Sequence, residues 1–172
     1  MTSRAAARHI PLTSMHWTLQ DVLTATGGAA APEARHDLAF DSVATDSRTV
    51  ASGALFVALR GARHDAHDFV AEALRNGAAG ALVERTVPGV PHFQLVRVVN
   101  ALKALGDLAA WTRSAHPLSV VAVSGSNGKT TTKEMIASIC VAARGAADVL
   151  KSEGNFNNLI GLPLTLLQLR GD

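Results

Sequence analysis

Residues 120–134 read VVAVSGSNGKTTTKE: an apolar run, two glycines, a lysine and a row of three threonines. The apolar run predicts a buried strand over 120–124, and the spacing of apolar residues that follows predicts a helix over about 131–144. Between them, Gly125 and Gly128 leave the turning positions free of side chains, so backbone N–H groups can point into one concavity. The helix behind them adds unsatisfied N–H groups and a partial positive charge. Such a loop can cradle phosphates. Lys129 can reach their terminal oxygens, and the Thr130 hydroxyl can join the shell of a Mg²⁺ ion.

The spacing G-x-x-G-K-T is shorter than the general phosphate loop, G-x-x-x-x-G-K-[ST]. At average residue usage its chance occurrence in a chain of this length is on the order of one in a hundred. The rival reading is a plain strand-to-helix turn with a solvated lysine. Downstream, a second strand is expected over about 148–151. GNFNNLIGLP follows at 154–163, crowding Asn155, Asn157 and Asn158 into one loop. In an open α/β sheet that edge faces the ligand crevice; turn chemistry alone is the alternative. A further helical segment is expected near Pro163. Strand, helix and strand open a parallel βαβ unit. The 57 residues after Ala115 (172 − 115) are too few for a complete doubly wound sheet, so this unit is expected to be truncated.

Upstream, Pro117 in SAHPLS cannot continue a helix, which sets the expected boundary near 115. Before it, WTLQDVLTATGG predicts a short helix with a capping-box pair, Thr18 and Asp21, and a stop at Gly27. Strands are expected over 54–59, 81–83 and HFQLVRV. Between the first two, a helix buries Phe69, Val70, Ala73 and Leu74 and stops at Gly77. After the last strand, a helix from Asn100 to about Ser114 turns Leu102, Leu105, Leu108 and Ala109 inward. The expected class is therefore α/β: a small unit over 16–115, then the first part of a parallel-sheet phosphate-loop domain over 116–172, behind an unordered start over 1–15.

Hydrophobic residues make up 48% and charged residues 17%, which suits a packed core. The formal net charge is +2, and the basic residues are scattered rather than gathered into a patch, so nucleic acid is not an expected partner. No stretch approaches membrane-span length, and neither the opening residues nor any later run resembles a signal peptide. A cytoplasmic protein is expected. The single cysteine, Cys140, excludes an internal disulfide and is expected to be buried beside Ile136 and Ile139. His64 and His67, with Asp65 and Asp68, read as a polar loop capping the helix that follows rather than as a metal site.

Taken together, these motifs resemble the ATP-dependent Mur ligases of bacterial cell-wall synthesis. GSNGKTT is similar to their ATP signature. TDSRTVASGALFVALRGARHDAHDF, followed by NGAAGALV, resembles the N-terminal UDP-binding domain, and GNFNNLIGLPLTLLQL is most like the members that add the terminal dipeptide. The resemblance runs from about Trp17 onward. It implies that ATP phosphorylates the terminal carboxylate of a UDP-MurNAc-tripeptide and that the amine of D-alanyl-D-alanine attacks the acyl phosphate. It also implies that Gly125, Ser126, Asn127, Gly128, Lys129, Thr130 and Thr131 hold ATP, with Lys129 and Thr130 serving catalysis and Thr130 binding Mg²⁺. Ser47 and Arg48 would hold the UDP-sugar end, and Asn157 and Asn158 would line the cleft. A monomer is expected, spanning about the N-terminal third of such an enzyme and inactive without the rest. The tripeptide-forming ligase and a non-catalytic nucleotide-binding module are the alternatives.

Overall fold

The computed structural model describes residues 17–34, 37–61, 64–154, 156 and 158–169. The expected unordered start and two of the three loop asparagines, Asn155 and Asn157, lie outside the described residues. Strand β1 (Trp17–Thr18) leads directly into helix α1 (Leu19–Thr26). The Thr18 hydroxyl accepts from the Asp21 N–H at 3.1 Å, while the Asp21 carboxylate accepts from the Thr18 N–H at 3.0 Å. That capping box satisfies donors the first turn would otherwise leave open.

Strands β2 (Ala29–Ala30), β3 (Ala39–Phe40), β4 (Ser42–Ala44) and β5 (Ala54–Val57) come next. Helix α2 (Val70–Arg75), β6 (Gly80–Val83) and β7 (Leu95–Arg97) complete the sheet. Its five strands lie in the order β2-β7-β6-β5-β4, with β2 antiparallel at the edge and the other four mutually parallel. Strands β1 and β3 form a separate antiparallel pair, Trp17 opposite Phe40.

Every residue of β5 and β6 is buried, as parallel strands covered on both faces require. Alternate residues feed two cores. Leu55, Val57, Leu82 and Val96 meet α1 and helix α3 (Ala101–Ser114), whereas Phe56, Ala81, Val83 and Leu95 meet Val70 and Ala73 of α2. Helix α3 begins where Asn100 Oδ1 accepts from the Lys103 N–H at 2.7 Å and Glu84 Oε1 accepts from the Ala101 N–H at 2.8 Å. Its inner face then buries Ala104, Leu105, Leu108 and Ala109. Helix α4 (Lys129–Arg144) follows, and helix α5 (Gly161–Leu166) packs back on α3, carrying Leu167 into the first core.

Several expectations are corrected. No strand forms over 120–124 or 148–151, and Val120 and Val121 are 56% and 63% exposed. A parallel strand takes its hydrogen bonds from neighbours that lie a crossover away in sequence. Among the described residues neither segment has such a neighbour. Phe69 is 42% exposed because residues 66–69 form a 3-10 turn, which shifts the phase before α2 begins. A similar turn over 92–94 shortens β7, and Leu102 is only half-buried. Cys140 is also half-buried, on a helix whose Ile139 stands 67% exposed.

The indole of Trp17 donates to Thr112 Oγ1 at 2.9 Å, and that hydroxyl donates to the Leu108 carbonyl at 2.9 Å. Both residues are buried, so Thr112→Val keeps the shape but leaves the indole N–H without an acceptor. The expected loss is about 1–3 kcal/mol, read as a lower urea midpoint with unchanged slope.

Candidate functional site

The glycine loop opens at the head of α4. Gly125 and Gly128 hold φ of 144° and 75°, a region that side-chain-bearing residues rarely adopt. A Cβ on Gly128 would meet nothing within 4 Å, so the backbone angle sets the need for glycine there, not crowding. Gly128 caps α4 without a side-chain hydrogen bond, and the first helical bond runs from the Thr132 N–H to the Gly128 carbonyl at 2.9 Å. The N–H groups of the first turn therefore have no partner within the helix.

The Lys129 ammonium folds back over the loop, donating to the Gly125 carbonyl at 2.5 Å and the Ser126 carbonyl at 3.3 Å. Thr130 and Thr131 are exposed beside it and open onto a depression of about 600 Å³ shared with Glu134, Met135, Ser138 and Ile139. Open N–H groups, an ammonium and a free hydroxyl at one helix start form a donor set suited to a polyphosphate with its cation.

The second group of expected residues stands at the carboxyl edge of the parallel sheet, where the chain leaves β4, β5 and β6. This is where ligands approach open α/β sheets. Ser47 and Arg48 begin a 3-10 turn capped by Asp46, whose carboxylate accepts from the Arg48 N–H at 3.0 Å. The two side chains have separate partners. Ser47 is 7% exposed, with its hydroxyl 3.4 Å from Glu72 Oε1 and its carbonyl accepting from Asn76 Nδ2 at 2.9 Å. The Arg48 guanidinium, on a side chain 80% exposed, forks onto Asp46 at 2.9 and 2.6 Å. That side-chain hydrogen bond, ahead of the backbone one, lowers the Asp46 carboxyl to about 2. A phosphate recruited by Arg48 has to share the fork with Asp46.

Asn158 takes a capping position. Its Oδ1 accepts from the N–H groups of Ile160 and Gly161 at 3.0 and 2.7 Å, which orders the turn into α5.

The same sheet edge holds a constellation that local pattern did not reveal. Asp65 does cap the turn, accepting from the His67 N–H at 3.0 Å, as the loop-capping reading expects. However, the His67 side chain is fully buried. Its Nε2 accepts from the Glu84 N–H at 2.9 Å, so Nδ1 carries the proton and donates to Asp65 Oδ1 at 2.5 Å. Arg85 adds contacts to Asp65 and Asp68 at 3.3 and 3.2 Å. An Asp two residues before a His is a local turn signature. Its burial depends on a backbone group 17 residues away, which no local pattern contains.

Residues 39–113 match the Mur ligase family, catalytic domain, and residues 123–172 match the Mur ligase middle domain. The chain belongs to the Mur ligase family. It is 46% identical over 133 residues to the UDP-N-acetylmuramoyl-tripeptide–D-alanyl-D-alanine ligase of Escherichia coli K12, covering 77% of this chain and 28% of that protein. The Bacillus subtilis ligase of the same name is 39% identical over 153 residues, covering 88% and 33%. A crystal structure of MurF from Acinetobacter baumannii superposes with a TM-score of 0.82 at 40% identity, over 94% of this chain and 34% of that one. The Thermotoga maritima MurF ligase, solved in complex with ADP, gives 0.67 at 37% identity, over 76% and 30%. The chain thus spans about 28% to 34% of the length of these relatives.

The backbone N–H of His67 is the main cause that lowers the Asp65 carboxyl from 3.8 to about 2; the His67 ring and Arg85 also contribute. A depressed folded-state pKa stabilises the protein above the unfolded value near 3.9, and that contribution is lost as pH falls through about 2. Asp65→Asn keeps the capping oxygen but not the charge. Urea midpoints measured from pH 4.5 down to 2 should therefore fall less steeply for Asp65→Asn than for the wild type.

Proposed function

We propose that this chain carries the UDP-substrate and phosphate-loop portions of an ATP-dependent ligase that joins D-alanyl-D-alanine to UDP-MurNAc-tripeptide in peptidoglycan synthesis. The single observation that carries it is the open head of α4, with the Lys129 ammonium poised over a two-glycine loop. Similarity to ligases of that name, one of them solved with ADP, supports the choice of substrates. In this reading residues 16–115 hold the UDP-sugar and residues 116–172 begin the central ATP domain. The work is done in the cytoplasm, by a monomer.

ATP supplies the phosphoryl group that activates the tripeptide carboxylate. The N–H groups of Gly128 to Thr131 hold its phosphates, and Ser126 and Asn127 shape the loop around them. Lys129 leaves the Gly125 carbonyl to neutralise charge at the transferring group, and the Thr130 hydroxyl joins the Mg²⁺ shell. Arg48 and the turn at Ser47 engage the UDP end, and Asn157 and Asn158 border the tripeptide. Residues outside this chain, in the longer relatives' remaining length, complete the reaction centre, so the chain alone is expected not to turn over.

Calorimetric titration with ATP and Mg²⁺, wild type against Lys129→Ala, tests the loop. A lysine ~4 Å from a phosphate charge contributes roughly 4 kcal/mol at an effective dielectric of ~20, before desolvation and screening reduce it. Lys129→Ala should weaken ATP binding by about tenfold to a thousandfold. Equal affinity for both proteins would mean that the loop is only a turn.

A further inference from the structure

One helical turn beyond Lys129, Lys133 lies on the same side of α4, four residues on. Its side chain is only 19% exposed, and its ammonium donates to the Ser152 carbonyl at 2.6 Å. It also lies 3.3 Å from Glu134 Oε1, and the other Glu134 oxygen pairs with Lys151 at 2.5 Å. Lys151, and after it Lys133, hold the Glu134 carboxyl below the usual carboxylate range. Two adjacent residues of α4 thus grip two adjacent residues of the segment that leads to Asn158.

The grip matters because that segment has no ladder. No strand forms over 148–151, and among the described residues these side-chain contacts are the hydrogen bonds and ion pairs that join 148–153 to α4. A lysine bound to a backbone carbonyl is indifferent to the side chain there. It fixes the path of the main chain rather than recognising a residue.

We propose that Lys133 is a positioning residue: by holding the Ser152 carbonyl it couples the phosphate loop to the segment that leads to Asn158, so that nucleotide binding at Lys129 tightens residues 150–154. This rests on the proposed function for its ligand, but the tether itself does not depend on it. Phosphates at the head of α4 fix its first turns, and Lys133, on the second turn, passes that order to Ser152. Glu134 and Lys151 pair beside that tether and hold the segment at a second point.

Backbone amide order parameters of the 172-residue chain, with and without ATP·Mg²⁺, test this for wild type, Lys133→Met and Lys133→Arg. Without nucleotide, Lys133→Met should lower the order parameters of 151–154 to below about 0.6 while those of α4 stay near about 0.85. Unchanged order parameters over 151–154, or an equal fall along all of α4, would overturn the tether. With nucleotide, the order parameters of the wild type should rise over both 125–132 and 150–154, those of Lys133→Met over 125–132 alone, and those of Lys133→Arg over both again. A rise over 150–154 that persists in Lys133→Met would overturn the coupling. A wild type that binds no nucleotide at millimolar ATP would overturn the coupling and the ATP-site reading together, and the nucleotide-free comparison would still decide the tether.

Discussion

The covering of β5 and β6 on both faces is the constraint on which the rest of the fold depends. All eight positions of the two strands, Ala54–Val57 and Gly80–Val83, are buried. Alternate side chains must therefore find apolar partners on opposite sides. Helices α1 and α3 cover one face and α2 the other, and each crossover between parallel strands passes through a turn at the carboxyl edge. That geometry places Asp46–Arg48, Asp65–His67 and Glu84–Arg85 along one rim. Glu84 joins the rim to the core, since its backbone N–H meets buried His67 while its carboxylate caps α3.

Elements with a local signal were legible in the sequence. The Thr18–Asp21 box, the Gly27 stop and the Asn100 cap each depend on residues three or four apart, and all three form. The elements that failed depend on partners far away or outside the described residues. The run at 120–124 has the composition of a strand, but hydrogen bonding needs a neighbour, and composition cannot supply one. Helix α4 shows the same effect: Ala137 is buried, but Met135, Ile139 and Val141 stand exposed. The glycine loop was legible in its spacing, and the structure adds a backbone reason for its glycines, the positive φ at Gly125 and Gly128.

The candidate site residues form two groups with different readiness. Lys129 already leans over open N–H groups, bound among the described residues to the Gly125 and Ser126 carbonyls. Arg48 is engaged by Asp46, and Ser47 faces Glu72, so the sugar end must compete for donors already in use. Helix α5 returns to the first unit, packing on α3 and burying Leu167 in the first core. Sequence pattern placed a helix near Pro163, but not its return to the first core.

Amide chemical shifts of the chain, titrated separately with ATP·Mg²⁺ and with UDP-MurNAc-tripeptide, test most directly whether two distinct sites divide the substrates. Two separate footprints are expected. ATP should move residues 125–132, and the UDP-sugar should move 46–49 and the neighbouring rim at 64–67. A single shared footprint, or a UDP-sugar that moves only the glycine loop, would contradict the division of the chain into a nucleotide loop and a separate UDP-sugar edge.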